Sequence, residues 1–361
     1  MSSFSALEGV RCLGKRSTVV DKCDECAADF EVQSVRLLKD SLPSERKMFG
    51  SGRFSIVAPL FARSQLFSNR SLSSALPLAY TKYANKDTDY QNPPLVILHG
   101  LFGQRTNWNS MSKALNHKLN CAVFSVDLRN HGDSPWSHSM DYPSMAMDLS
   151  LFLEKTVREE MVKVTPEGSD IPSRPVRVHL LGHSMGGKVA MHFSLLPRAK
   201  DNLKSLIIED TAPRIYDSVT HKRYPNYVKA MKEADLAGKS RREIAEQLSS
   251  TVYDEKMRQL LLMNLETNSK GHYRWKLNLE GIGRNLSEIF GIDMPSGVYS
   301  GPCLFVSGGI SPYVAVQDRP SILERFPKAE FKVIEGGGHW VHFDQPDQFL
   351  HVVHHFISSL S

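Results

Sequence analysis

Residues 178–187 read Val-His-Leu-Leu-Gly-His-Ser-Met-Gly-Gly. An apolar run that ends in Gly182-His183-Ser184-Met185-Gly186 and then enters a helical stretch has the strand–turn–helix form of a nucleophile elbow. The spacing has a physical reason. The serine sits in a sharp, strained turn, and a glycine two residues to either side keeps neighbouring atoms out of it. The helix that starts there brings its positive dipole end and free N–H groups beside the hydroxyl.

Outward from this turn, short apolar runs alternate with helical stretches. Strands are expected at Leu95–Leu98, Ala122–Val126, Val176–Leu181, Leu203–Ile208, Cys303–Ser307 and Glu330–Ile334. Helices are expected over 105–118, 144–157, 185–196 and about 346–358. Such alternation predicts an α/β protein with a mostly parallel sheet covered on both faces. Residues 212–296 contain no convincing strand and read as several helices, a cap over one end of the sheet. Leu260, Leu261, Leu262 and Met263 in that block suit either an acyl pocket or the core of the cap. The charged stretch 158–175, with Pro166, Gly168, Pro172 and Pro175, is expected to be an exposed insertion.

A serine needs a base to take its proton. His339 follows the last strand in a glycine-rich loop, Glu335-Gly336-Gly337-Gly338-His339. It therefore emerges at the same sheet edge as Ser184. His183 is expected to point away from the serine, and His99 to brace its loop. Two N–H donors should face the developing oxyanion. One is the Met185 amide. The other comes from the loop His99-Gly100-Leu101-Phe102-Gly103, with Leu101 as first choice and Phe102 as second. The acid is less clearly marked. Ser311 occupies the loop after the strand ending at Ser307, where a carboxylate is usual, so Asp210 at the end of the preceding strand is favoured. Ser311 then becomes an additional contact of the histidine. Glu280 and Asp318 are the alternatives. The tight polar loop from Asp127 to Pro135 is read as structural.

The net charge of +5 is local. Residues 1–47 hold eight basic and eight acidic side chains, 48–86 hold five basic and no acidic ones, and 87–361 hold 31 of each. A balanced domain has no basic face for phosphates, so no nucleic-acid partner is expected. Residues 48–77 begin at a methionine, carry spaced arginines and serines, and lack acids, which are marks of a mitochondrial transit peptide. Residues 1–47 read as a polar extension upstream of Met48. Cys23 and Cys26 form a lone CxxC with no second ligand pair, and Cys121 and Cys303 read as buried thiols. His351, His354 and His355 read as a surface cluster. No metal is expected, and neither a GxGxxG after the first strand nor a P-loop lysine points to a nucleotide, so no cofactor is expected. No apolar run reaches the roughly 18 residues of a membrane span.

Taken together, HGLFG at 99–103, DLRNHGDSP at 127–135, GHSMGGK at 182–188, EDTAP at 209–213 and GGGHWVH at 336–342 resemble the α/β-hydrolases over roughly residues 78–360. Within that superfamily the chain is most similar to the subgroup of alpha/beta hydrolase domain-containing protein 11 and to related small bacterial esterases. The resemblance implies a mostly parallel central sheet flanked by helices, with a helical cap inserted after the sixth strand. It also implies a serine hydrolase of the mitochondrial matrix acting on lipid-like esters, diacylglycerol among them. Ser184 and His339 match the family's nucleophile and base, and one proposed acid position falls on Glu280. The hydrolase domain is then 78–361, with its cap at about 212–296. Thioester cleavage or acyl transfer could use the same machinery. A non-catalytic partner of a mitochondrial enzyme complex is the reading from a different class.

Overall fold

The computed structural model describes residues 74–164, 175–197, 199–216, 218–291 and 293–360, all within the unit Ile56–Ser361. The expected extension 1–47, nearly all of the expected transit peptide, and the core of the 158–175 insertion lie outside the described residues, as do Cys12, Cys23 and Cys26. The Leu76 amide donates to Asp148 Oδ1 at 2.7 Å. Residues ahead of the expected start at 78 are thus already tied to the hydrolase fold.

In chain order the strands are β1 Tyr80–Tyr83, β2 Leu95–Leu98, β3 Val123–Val126, β4 Val178–His183 and β5 Leu203–Glu209. There follow β6 Leu265–Thr267, β7 Tyr273–Trp275, β8 Cys303–Gly308 and β9 Ala329–Ile334. Among the described residues the main sheet has seven strands in the order β1-β3-β2-β4-β5-β8-β9. Only β1 runs antiparallel to its neighbour. Every residue of β2 is buried, because a parallel strand has helices over both faces. Its side chains alternate between two cores. Val96 and Leu98 belong to the core that includes Met145, Leu149, Val189 and Phe193 from the helices Tyr142–Leu151 and Met185–Ser194. Leu95 and Ile97 belong to the core that includes Met111, Leu115, Phe349 and Val353 from the helices Asn109–Leu119 and Pro346–Ser358. Cys121 and Cys303 are buried in these layers.

The block between β5 and β8 carries the helices Ser218–Glu233, Arg241–Ser249, Glu255–Leu262 and Leu279–Gly291. Two expectations are corrected here, and one open choice is narrowed. The block enters after the fifth strand, not the sixth, because among the described residues only β1 precedes β2. It is not purely helical, since β6 and β7 pair antiparallel, Leu265 opposite Trp275. Three-residue strands are too short to give a periodic signal. Their connection turns at Gly271, whose φ of +79° favours glycine. Finally, the leucine run belongs to the interior of the cap. Leu261 and Leu262 are buried, Leu260 packs against the same cluster, and Met263 is exposed.

Candidate active site

Strand register brings the site together. Leu98 pairs with Gly182, so the loop after β2 starts beside the turn after β4. His183 pairs with Glu209, which sets Ser184 beside Asp210. Gly308 pairs with Ile334, so the loops after β8 and β9 leave the sheet together. Strands β2 and β3 run to one side and β4 to the other, and open α/β sheets bind ligands at the carboxyl edge of such a switch point.

Ser184 has φ +52° and ψ −115°, a strained conformation for a residue with a side chain. Such backbone costs about 1–3 kcal/mol and persists only where the surroundings enforce it. Enforcement is visible. A Cβ on Gly182 would lie 2.3 Å from the Gly186 carbonyl oxygen, and one on Gly186 would lie 2.5 Å from that of Leu98. Only glycine permits β2, the turn and the helix to close this tightly.

His339 Nε2 lies 3.1 Å from Ser184 Oγ, and His339 Nδ1 lies 2.7 Å from Asp210 Oδ2. A carboxylate can only accept, so Nδ1 carries the ring proton and Nε2 turns its lone pair to the serine. Asp210 is fully buried and also accepts from the Gly308 amide at 3.1 Å and from the Ser311 hydroxyl. Ser311 therefore contacts the acid and not the histidine, because Asp210 Oδ2 stands between their donors. The alternative acids lie elsewhere. Glu280 is exposed on the cap, paired with Lys232 and Arg284. Asp318 pairs with Arg214 at 2.8 Å and accepts from the Ala315 amide at 2.8 Å.

The loop His99–Gly103 presses on this turn. A Cβ on Gly100 would lie 3.2 Å from Ser184 Cβ. The Phe102 amide donates to His131 Nε2 at 3.2 Å, which commits the second-choice oxyanion donor to loop structure. Of the donors expected from sequence, that leaves Leu101, with Met185, as the candidate pair. The cap also holds this loop. Asn264 Nδ2 donates to the Phe102 carbonyl at 2.7 Å, and Gln104 Nε2 donates to that of Met263 at 2.7 Å. A cavity of about 750 Å³ lies to one side, between the 132–136 loop and the β7 ribbon, with Trp136 and Trp275 in its wall. Ser184, His339 and Asp210 are not among its lining residues. Among the described residues no helix is long and apolar enough to cross a membrane, and no group of three metal-ligating side chains gathers.

The alpha/beta hydrolase family matches residues 95–352. The chain belongs to the α/β-hydrolase family. This hydrolase is 36% identical over 297 residues to the sn-1-specific diacylglycerol lipase ABHD11 of Xenopus tropicalis, covering 81% of this chain and 85% of that one. It is 32% identical to the esterase YbfF of Escherichia coli, covering 74% and 94% of the two chains. A marine microorganism esterase of known structure superposes with a TM-score of 0.66 at 35% identity, over 78% of this chain and all of the other.

Four contacts of the hydrolase's site were not anticipated from sequence. Tyr313 stacks on the His339 ring at 3.9 Å between centroids. Its hydroxyl meets that of Tyr224 on the cap at 3.1 Å. Glu209, buried one residue before Asp210, accepts from the His342 amide at 2.9 Å and from His342 Nδ1 at 2.7 Å. Lys188, at the end of GHSMGGK, is buried and donates to the Arg214 carbonyl at 2.8 Å, anchoring the segment after Asp210. Burial lowers its ammonium to about 8. The tyrosine had no signal in the sequence. Glu209 closes β5 and Asp210 leaves it with φ +50°, so the two adjacent carboxylates take different partners.

Buried neutral histidines support the loops. The Leu128 amide donates to His99 Nε2 at 3.0 Å, and His131 Nε2 takes the Phe102 amide, so neither nitrogen holds a proton. Burial lowers His99 and His179 to about 4, and His131 and His192 to about 3, from 6.5. The unfolded chain protonates all four near 6.5, whereas the fold resists until far lower pH. Their contribution to stability is therefore complete above 6.5 and falls as pH drops below it, by about 1.4 kcal/mol per pH unit for each such histidine. Thermal unfolding should show a flat Tm between about pH 8 and 7 and a steep fall by about pH 5. A Tm that stayed level to about pH 5 would contradict the neutral burial of these histidines.

Proposed function

We propose that this carboxylic ester hydrolase works through an acyl-enzyme on Ser184 and takes lipid-like esters, diacylglycerol among them. The observation that carries the reading is the continuous chain from Ser184 Oγ through His339 to the buried Asp210. Ser184 Oγ attacks the ester carbonyl carbon while its proton passes to His339 Nε2. The carbonyl oxygen takes the negative charge and receives the Leu101 and Met185 amides. Asp210 holds Nδ1–H and balances the imidazolium. Collapse expels the alcohol, protonated from Nε2, and water repeats the sequence to release the acid. The lipid part is supported by the diacylglycerol lipase relative.

Delivery to the mitochondrial matrix belongs to the same reading and rests on the acid-free stretch 48–77. Sequencing the N-terminus of the mature protein tests it, and a terminus upstream of Met48 would rule it out. For the chemistry, a fluorophosphonate probe should form one adduct, mapped by mass spectrometry to Ser184. The enzyme should release fatty acid from diacylglycerol vesicles. An adduct on another residue would overturn the mechanism, and turnover confined to short soluble esters would overturn the lipid assignment.

A further inference from the structure

His183 sits inside the nucleophile turn, yet its imidazole belongs to the loop that carries His339. Its Nε2 lies 2.8 Å from the His339 carbonyl oxygen, across 156 residues of sequence. A carbonyl can only accept, so Nε2 carries the proton and the bond has one direction. The ring is buried, and it lies 4.8 Å from the His339 ring and 5.3 Å from the His342 ring between centroids. On its other side is the oxyanion loop, where a Cβ on Gly100 would come within 2.8 Å of His183 Nδ1. One side chain thus touches the segments that carry the nucleophile, the base and an oxyanion donor.

We propose that His183 is a positioning residue: its Nε2–H, given to the His339 carbonyl, fixes the base at its distance from Ser184. The inference rests on Ser184 being the nucleophile. The base loop is glycine-rich, Gly336-Gly337-Gly338, and so has little stiffness of its own. The Ile310 amide donates to the Gly337 carbonyl at 3.0 Å, and two side chains from outside the loop hold it further. Glu209 holds His342, three residues beyond the base. His183 holds the backbone of the base itself. Burial keeps the His183 ring neutral, so the contact adds no charge beside the imidazolium that forms in the reaction.

Length separates this role from packing. A glutamine amide reaches the place of Nε2, an asparagine amide only that of Nδ1, and a leucine fills space without donating. His183→Leu and His183→Asn should each lose about 10–100-fold in kcat with KM nearly unchanged, the cost of a misplaced base. His183→Gln should restore kcat to within about fivefold of the wild type. Tm is measured for each variant. If leucine prevents folding, the contrast between glutamine and asparagine still decides. Equal activity in all variants would overturn the proposal. So would equal losses in glutamine and asparagine that follow the fall in Tm, since that is packing alone. Failure of wild type to take the fluorophosphonate label would instead strike the underlying reading of Ser184.

Discussion

Ser184→Ala is expected to lower kcat on a p-nitrophenyl ester by about 10⁶-fold and to abolish fluorophosphonate labelling. The size follows from the arrangement. Nucleophile, base and acid form one hydrogen-bonded line, so removing the first member leaves the others with no proton to move. What remains is binding and the oxyanion amides, worth about 10³–10⁴ over water. For the same reason His339→Ala added to Ser184→Ala should cost almost nothing further. More than about 1% of wild-type activity in Ser184→Ala would place the chemistry elsewhere. A non-catalytic role in an enzyme complex would persist in this variant, which separates that role from hydrolysis.

Asp210→Asn carries the second largest effect, a loss of about 10⁴ in kcat. The side chain keeps its shape but can present an N–H₂ to His339 Nδ1. The ring then holds its proton on Nε2, facing Ser184 Oγ, and cannot act as a base. Two donors besides His339 aim at this carboxylate, the Gly308 amide and the Ser311 hydroxyl, and both suit an acceptor. The Gly308 amide faces Oδ1 and can only donate, so it favours the amide oxygen there and the nitrogen at the Oδ2 place, toward the histidine and Ser311, whose hydroxyl can also accept. Glu280→Gln serves as the control and should stay within about twofold, because Glu280 is an exposed surface partner of Lys232 and Arg284. The reverse pattern, with Glu280→Gln crippled and Asp210→Asn active, would overturn the assignment of the acid.

The legible parts of this protein were those whose cause is local. Gly182, Ser184 and Gly186 announce a tight turn because the steric demand lies within five residues. The buried run Leu95–Leu98 announces a central strand because burial on both faces leaves no polar side chain. The β6–β7 pair stayed hidden, since three residues cannot establish a period. The choice among Asp210, Glu280 and Asp318 also had no local answer, as each is a carboxylate near an element's end. The pairing of His183 with Glu209 answered it by setting Asp210 next to Ser184.

The sequence by itself determined an α/β chain with a serine turn after one strand, a histidine in a glycine loop after the last, and a charge excess confined to residues 48–86. Only the tertiary structure decided which carboxylate meets His339, that Ser311 serves Asp210, that Phe102 gives its amide to His131, and that His183 holds the base loop. The physical reason is the crossover. Each parallel strand is separated from its neighbour by a helix or more, so contacts at the sheet edge join residues far apart in the chain. Their geometry is set by register, a quantity no single segment contains.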